Sequence, residues 1–111
     1  MKDTVKFDFN SSERSIIIKG LNMLRNNLLL QERDDSVVND ILIKFSEDNK
    51  VELDIYEHKI VISALYDLRT SIKKQNQSPI EVSNIILRLI EEDGKKKVFS
   101  RILRKDNGRR Y

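Results

Sequence analysis

The residue types that carry most enzyme and metal chemistry are nearly absent from this sequence. It contains one histidine, His58, and no cysteine. A transition-metal site on a helix needs further ligands at helical spacing, such as a second histidine one turn away, and no such partner exists. Without a thiol or a histidine pair, nucleophilic catalysis has little to work with. We therefore predict a protein with no metal, no cofactor and no catalytic activity, and we place His58 on the surface of a predicted helix.

The acidic residues form no recognisable catalytic or ion-binding pattern either. They cluster at Asp34-Asp35 and Glu91-Glu92-Asp93, at predicted helix ends where solvated charge is common. The acid-rich stretch 48–57 lacks the glycine and the ligand spacing of a calcium-binding loop. The three glycines, at positions 20, 94 and 108, are too far apart to form a phosphate-binding loop.

The clearest interaction signal is a strongly basic C-terminal segment, residues 95–111, which we call the tail. The tail carries eight Lys or Arg residues and one Asp, a net charge of +7, whereas residues 1–94 have a net charge of −4. Its basic residues are Lys95, Lys96, Lys97, Arg101, Arg104, Lys105, Arg109 and Arg110. Its apolar residues would share one face of a helix, and they are Val98, Phe99, Ile102 and Leu103.

Several arrangements and partners fit such a segment. As a fifth helix, the tail would dock its apolar stripe on the rest of the protein and leave its cations in solvent. As a free basic surface, residues 95–110 would bind nucleic-acid phosphates, lie on an anionic membrane or dock on an acidic protein. Only Phe99 lies among the charges before Tyr111, so the tail offers little base stacking.

The elements that would position these residues come from an internal repeat. When residues 5–48 are aligned with residues 49–92 without a gap, 11 of 44 positions are identical. The identities span two amphipathic helices and their loop, which favours a duplicated helical hairpin over chance similarity. Arg25 and Arg69 are one identical pair, each directly after a core leucine. We expect this pair either to form ion pairs with acids on a neighbouring helix or to make two symmetric basic contacts with a ligand.

Each unit begins with a short strand pattern and a helix start. The alternating apolar stretches are Val5-x-Phe7-x-Phe9 and Val51-x-Leu53-x-Ile55. A capping box follows in both units, formed by Asn10 with Glu13 and by Asp54 with Glu57.

A long helix and a shorter one complete each unit. The apolar stripes of the long helices are Ile17, Leu21, Leu24 and Leu28, then Val61, Leu65, Leu68 and Ile72. We predict that these helices end near Gln31 and Gln75. The shorter helices then start at caps on Asp34 and on Ser78, the latter followed by Pro79. Because the loops are short, each helix pair should be an antiparallel hairpin.

We therefore predict a mainly α fold in which two tandem pseudo-symmetric helical hairpins form a four-helix body. The strands can pair into a short two-stranded β-ribbon, which would make the fold α+β. Residues 1–94 form one domain of two repeats, 5–48 and 49–92, and residues 95–111 form a basic C-terminal helix or tail.

Some apolar residues lie off the main stripes: Ile16, Leu29, Leu30, Ile43, Ile60, Leu87 and Ile90. They fit broad burial inside a helical bundle, which we favour, or a second apolar face for a dimer or a partner.

The repeat unit, with Leu21-x-x-Leu24-Arg25 and Leu65-x-x-Leu68-Arg69, resembles small uncharacterised helical-hairpin proteins of low-GC Gram-positive bacteria and their phages over residues 5–92. This resemblance implies an accessory protein that modulates a host or phage machine by binding it.

The expected function is thus a non-catalytic protein-interaction module that binds a larger, unidentified protein. The alternative is a nucleic-acid-binding regulator that uses residues 95–110, and a homodimer also fits. The sequence has no cysteine, no transmembrane-length apolar run and no apolar signal region at its start, so we expect a cytoplasmic protein.

Overall fold

The computed structural model describes residues 4–48 and 50–94, which form a two-stranded ribbon and two helical hairpins. In chain order the elements are β1 (Thr4–Asp8), α1 (Ser11–Leu30), α2 (Ser36–Glu47), β2 (Lys50–Asp54), α3 (Ile55–Lys74) and α4 (Ile80–Gly94). The predicted mainly α fold, with its four-helix body and small antiparallel sheet, is confirmed. The tail and every prediction about it lie outside the described residues. Within the described part of the chain, the helices are too short or too polar to cross a membrane.

Each long helix starts at a complete capping box directly after its strand. Asn10 Oδ1 accepts the Glu13 N–H at 2.8 Å, and Glu13 Oε1 accepts the Asn10 N–H at 3.0 Å. Asp54 and Glu57 make the same two bonds at the same distances. These bonds satisfy backbone groups that a helix start leaves free, so the chain turns from strand to helix at the same point in both halves.

Each long helix also ends in the same way, with a residue in the left-handed conformation. Glu32 after α1 has φ 55°, and Asn76 after α3 has φ 61°. The next residue, Arg33 or Gln77, donates its N–H to a carbonyl of the last helical turn, at 2.8 and 3.1 Å. This is the Schellman arrangement, in which glycine is the preferred left-handed residue. Neither half uses a glycine there.

A pseudo-twofold axis relates the two halves and passes through two residue pairs. β1 and β2 are antiparallel, and Phe7 lies opposite Val51, its counterpart 44 residues later. Gly20 of α1 lies against Ala64 of α3, again its counterpart, and a Cβ on Gly20 would lie 3.3 Å from the Ala64 carbonyl oxygen. Counterparts meet only on the axis, so the axis runs through the centre of the ribbon and the α1–α3 contact.

Both halves contribute to one hydrophobic core under the ribbon. Phe7, Phe9, Val51 and Leu53 are buried, whereas the residues between them in the two strands are exposed. Helices therefore cover one ribbon face, which a two-stranded ribbon needs for stability. The helices contribute Ile17, Leu21, Val38, Ile41, Phe45, Val61, Ala64, Leu65, Leu68, Val82, Ile85, Ile86 and Leu89 to the core.

Ile55 was predicted to end the second strand pattern, and this prediction is wrong. Asp54 caps α3, so the strand stops there and Ile55 becomes the first residue of the helix. Its side chain is exposed rather than buried with Val51 and Leu53.

The off-stripe apolar residues separate into two groups. Ile16, Ile60 and Ile90 are partly buried against the core, as favoured from the sequence. The other four are exposed, so for them burial is the wrong interpretation; they are Leu29, Leu30, Ile43 and Leu87.

Candidate functional site

Two strand-to-helix junctions hold the halves together, and each binds a cation from the opposite half. Junction 1 comprises residues 8–13 and junction 2 comprises residues 52–57. Arg88 of α4 binds junction 1, and Lys44 of α2 binds junction 2. Arg88 and Lys44 are themselves 44 positions apart, so the two cross-half contacts obey the pseudo-twofold symmetry.

At junction 2, Lys44 bridges a carboxylate and a strand carbonyl. Its Nζ lies 2.9 Å from each carboxylate oxygen of Glu57 and 3.0 Å from the Glu52 carbonyl oxygen. Glu57 Oε1 also accepts the Asp54 N–H, so one glutamate both caps α3 and binds the first half.

At junction 1, Arg88 makes the equivalent contacts and one more. Its Nη1 lies 2.7 Å from Glu13 Oε1, and its Nη2 donates to the Asp8 carbonyl oxygen. The guanidinium also lies over the Phe9 ring, with Cζ 4.9 Å from the ring centroid. The counterpart of Phe9 is Leu53, which offers no aromatic face.

These glutamates are structural groups rather than free acids. A shallow depression of about 200 Å³ lies beside Glu13, between the start of α1 and α4. Glu13 Oε1 accepts hydrogen bonds from the Asn10 N–H and from Arg88, so this oxygen is used in the junction. Residues 4–48 and 50–94 contain no cluster of three or more His, Asp or Glu side chains able to hold a metal ion.

His58 is buried, so its predicted surface position is wrong. Its side chain is 6% exposed, and its ring stacks on Phe7 with centroids 5.7 Å apart. Nε2 lies 3.1 Å from the Leu89 carbonyl oxygen, and a carbonyl only accepts, so Nε2 donates. The sequence did hold a signal for this position, since His58 precedes Val61 and Leu65 at helical spacing.

Arg25 and Arg69 do not form one symmetric site. Arg25 Nη1 lies 3.5 Å from Asn39 Oδ1 on α2, and its buried Nε has no hydrogen-bond partner among the described residues. Arg69 lies over its own helix, with Cζ 4.8 Å from the Tyr66 ring centroid. Neither of these contacts involves an acid, and each stays within its own half.

An exposed apolar patch lies at the end of the first hairpin, and we call it the tip patch: Leu29, Leu30 and Val37. α1 starts at junction 1 and has 20 residues, so the patch lies about 30 Å from the ribbon. Leu29 is 52% exposed, Leu30 is 82% exposed, and Val37 is also exposed. The counterparts of the two leucines are Lys73 and Lys74.

Four acidic residues lie close to the tip patch in sequence, namely Glu32, Asp34, Asp35 and Asp40, together with one exposed cation, Arg33. The Ser36 backbone N–H and then its hydroxyl donate to Asp34 at 3.0 Å, and these bonds lower the pKa of Asp34 below the ordinary value of 3.8. Asp34 is therefore ionised at neutral pH.

A second exposed region, which sequence reasoning missed, lies along α3. It carries the exposed aromatic residues Tyr56 and Tyr66 and the exposed cations Lys59, Lys73 and Lys74. In the sequence, this face can be recognised only by comparison with α1, whose counterpart positions hold different residue types.

Comparisons of the chain with protein-family models, curated proteins and solved structures give no match.

Proposed function

We propose that the protein is a non-catalytic interaction module that binds a larger protein through the tip patch. The observation that carries this proposal is the exposure of Leu30, at 82%, next to exposed Leu29 in the last turn of α1. Burial of an exposed leucine side chain in an interface is favourable, by about 2 kcal/mol when the side chain becomes fully buried.

The fold does not explain these leucines. At the same two positions of the second half, α3 ends in Lys73 and Lys74, and its helix end has the same backbone geometry. A partner that buries Leu29 and Leu30 explains the difference. The nearby carboxylates add specificity, because they favour a partner surface that is apolar at its centre and basic at its edge.

We extend the proposal to a cytoplasmic partner, a host or phage machine that this small protein modulates by occupying one of its surfaces. A second copy of the chain is the competing occupant of the patch.

The test compares Leu30→Asp with Lys74→Asp, which places the same acid on the counterpart position of the other half. Sedimentation of the purified protein first identifies self-association. Proteins retained by immobilised wild-type protein from an extract of its native cells are then identified, purified and titrated against each variant.

We expect a partner whose affinity falls at least tenfold with Leu30→Asp and stays unchanged with Lys74→Asp, because only the first variant disrupts the patch. A dimer that dissociates with Leu30→Asp would replace the larger partner with a second copy. Equal binding by both variants would contradict the tip patch as the docking surface.

The second candidate is a nucleic-acid-binding regulator, favoured by the tail's net charge of +7. Neutralising Lys95, Lys96, Lys97 and Arg101 with glutamine in the full chain would then weaken DNA or RNA binding and flatten its salt dependence. No binding at physiological salt by either form would eliminate this candidate.

A further inference from the structure

The exposed face of α3 forms a continuous stripe that differs in character from the rest of the described protein. Ile55, Lys59, Tyr66 and Lys73 follow one another at four-, seven- and seven-residue steps, which places them along one side of the helix. All four are exposed, and Tyr56 is exposed as well, at 64%. We call these five residues, together with Arg69 and Lys74, the α3 face.

The α3 face is basic although residues 1–94 as a whole are acidic. It presents Lys59, Arg69, Lys73 and Lys74, while the one exposed acid of α3 is Asp67. The net charge of residues 1–94 is −4, so most of the other surface repels anions. Within residues 1–94, an anionic ligand is therefore attracted more to this helix than to the remaining residues, whose net charge is negative.

One aromatic ring, that of Tyr66, lies between these cations along α3, and Tyr56 lies before the first of them. Tyr66 is 41% exposed, and the Arg69 guanidinium lies over its ring at 4.8 Å from the centroid. This contact holds a planar cation and an aromatic ring together at the surface. Such a pair can stack on a base and neutralise a phosphate at the same place.

The pseudo-twofold counterpart shows that the fold does not require this chemistry. On α1, the positions of Tyr56, Lys59, Tyr66, Lys73 and Lys74 are occupied by Ser12, Ser15, Asn22, Leu29 and Leu30. Both helices have 20 residues, the same capping box and the same end geometry. The tyrosine rings and lysine charges at these α3 positions are therefore not needed for folding.

We infer that the α3 face binds single-stranded nucleic acid, a role that goes beyond the protein docking proposed for the tip patch. Lys59 and Lys73 are 14 residues apart along the helix, which corresponds to about 21 Å. That length matches about six stacked nucleotides of one strand at ~3.4 Å each. A duplex fits less well, because its bases are stacked inside and do not reach Tyr56 or Tyr66.

The experiment measures the affinity of the full chain for a fluorescent oligothymidylate of about 15 nucleotides over a range of salt concentrations. One variant carries Tyr56→Ala and Tyr66→Ala. A second carries Lys59→Gln, Lys73→Gln and Lys74→Gln. The matched control carries Ser12→Ala and Asn22→Ala on α1, and all forms retain the tail.

The tyrosine variant should bind about tenfold more weakly, with an unchanged salt slope, because it loses stacking and no charge. The lysine variant should lose about two units of salt slope, since about 0.7 counterions are released per phosphate contact on single strands. The α1 control should match the wild type. Circular dichroism of each variant should show intact helices, because none of the substituted positions is buried.

Wild-type affinity and slope in both α3 variants would assign any binding to the tail and overturn the inference. Tighter binding of a duplex of equal length would overturn the single-strand assignment. Equally effective competition by polyglutamate would identify an acidic protein segment as the occupant instead. A negative result for oligonucleotide binding would not contradict the tip patch as a protein-docking surface, since Leu30→Asp tests that surface separately.

Discussion

The first and second halves of the molecule are most alike where they touch and least alike where they face solvent. At the junctions, counterpart residues make counterpart bonds: Glu13 and Glu57 each cap a helix and bind a cation from the other half. On the outer surfaces, the first half has an apolar and acidic tip, whereas the second has a basic and aromatic helix face.

This contrast separates positions that serve folding from positions that do not. A side chain on the pseudo-twofold axis or in a junction is restrained by both halves at once. An exposed position on α1 or α3 is restrained by its own helix alone, so its residue type carries information about partners.

The largest expected effect breaks the contact on the axis itself. A Cβ added at Gly20 would lie 3.3 Å from the Ala64 carbonyl oxygen, which leaves no space for the two further methyl groups of valine. Gly20→Val should therefore destabilise the protein by about 3 kcal/mol. The measurement is the free energy of unfolding in urea.

The control for this prediction is the counterpart substitution, Ala64→Gly. It removes a methyl group and lowers helix propensity, so its cost should be smaller, about 1–2 kcal/mol. A Gly20→Val protein as stable as the wild type would show that α1 and α3 do not approach each other this closely.

A smaller effect is expected from removing the junction cations. Arg88→Met should cost about 2 kcal/mol, since it removes an ion pair, a bond to the Asp8 carbonyl and the contact with Phe9. Lys44→Met should cost about 1 kcal/mol or less, because the Lys44 side chain is 40% exposed and has no aromatic partner.

Exchange of the cations sharpens this comparison. Arg88→Lys should lose part of the stability, while Lys44→Arg should gain little, because junction 1 offers the Phe9 ring to a guanidinium whereas junction 2 has Leu53 at that position. Chemical denaturation of the single and double variants measures the asymmetry, and equal losses at Arg88 and Lys44 would contradict it.

The third comparison concerns the left-handed residues at the helix ends. Glu32→Gly should stabilise the protein by about 1 kcal/mol, because a glutamate at φ 55° is strained and glycine is not. Asn76→Gly should gain only a few tenths of a kcal/mol, since asparagine tolerates this conformation. Thermal unfolding should show a rise of about 5 °C for the first variant and little change for the second. A larger rise for Asn76→Gly than for Glu32→Gly would mean that strain at the left-handed residue does not determine the gain in stability.

The sequence predicted the local features of this fold well. Both capping boxes, both hairpins and the two strand patterns follow from residue types within a few positions of one another. The pairing of the strands joins residues more than 40 positions apart, and it was predicted from the sequence only as one option. The strand end at Asp54 was missed by one residue, because the alternation of apolar residues continues to Ile55 although the cap already starts the helix there.

Long-range contacts could not be predicted in the same way. Glu13 and Arg88 are 75 residues apart in sequence, and no local pattern pairs them. His58 was assigned to the surface because no further ligand lies at helical spacing from it, but its position relative to Val61 and Leu65 turns it inward. For Leu29 and Leu30, apolar character suggested burial, whereas their exposure depends on how the hairpins pack.

The smallest expected effect distinguishes the two shorter helices by pH. The predicted helix cap at Asp34 is wrong by one residue, because Asp35 is the N-cap of α2 and makes no side-chain cap bond. Asp34 instead accepts the Ser36 N–H in the turn before α2, and its counterpart Ser78 accepts the Ile80 N–H before α4 at 3.4 Å. The Ser36 bonds lower the pKa of Asp34 in the folded protein, so its contribution to stability is present above about pH 4 and is lost as the pH falls through that lowered pKa.

Asp34→Ser should therefore remove this dependence while keeping a hydrogen-bond acceptor in the turn, and Ser78→Asp should create one in the second half. The measurement is the free energy of urea unfolding of each variant, minus that of the wild type, from neutral pH to about pH 2. Because the other carboxylates are present in every form, the differences isolate the two turn positions. Differences that do not change with pH would mean that the charge on Asp34 contributes nothing and that its side chain acts only as a neutral hydrogen-bond acceptor.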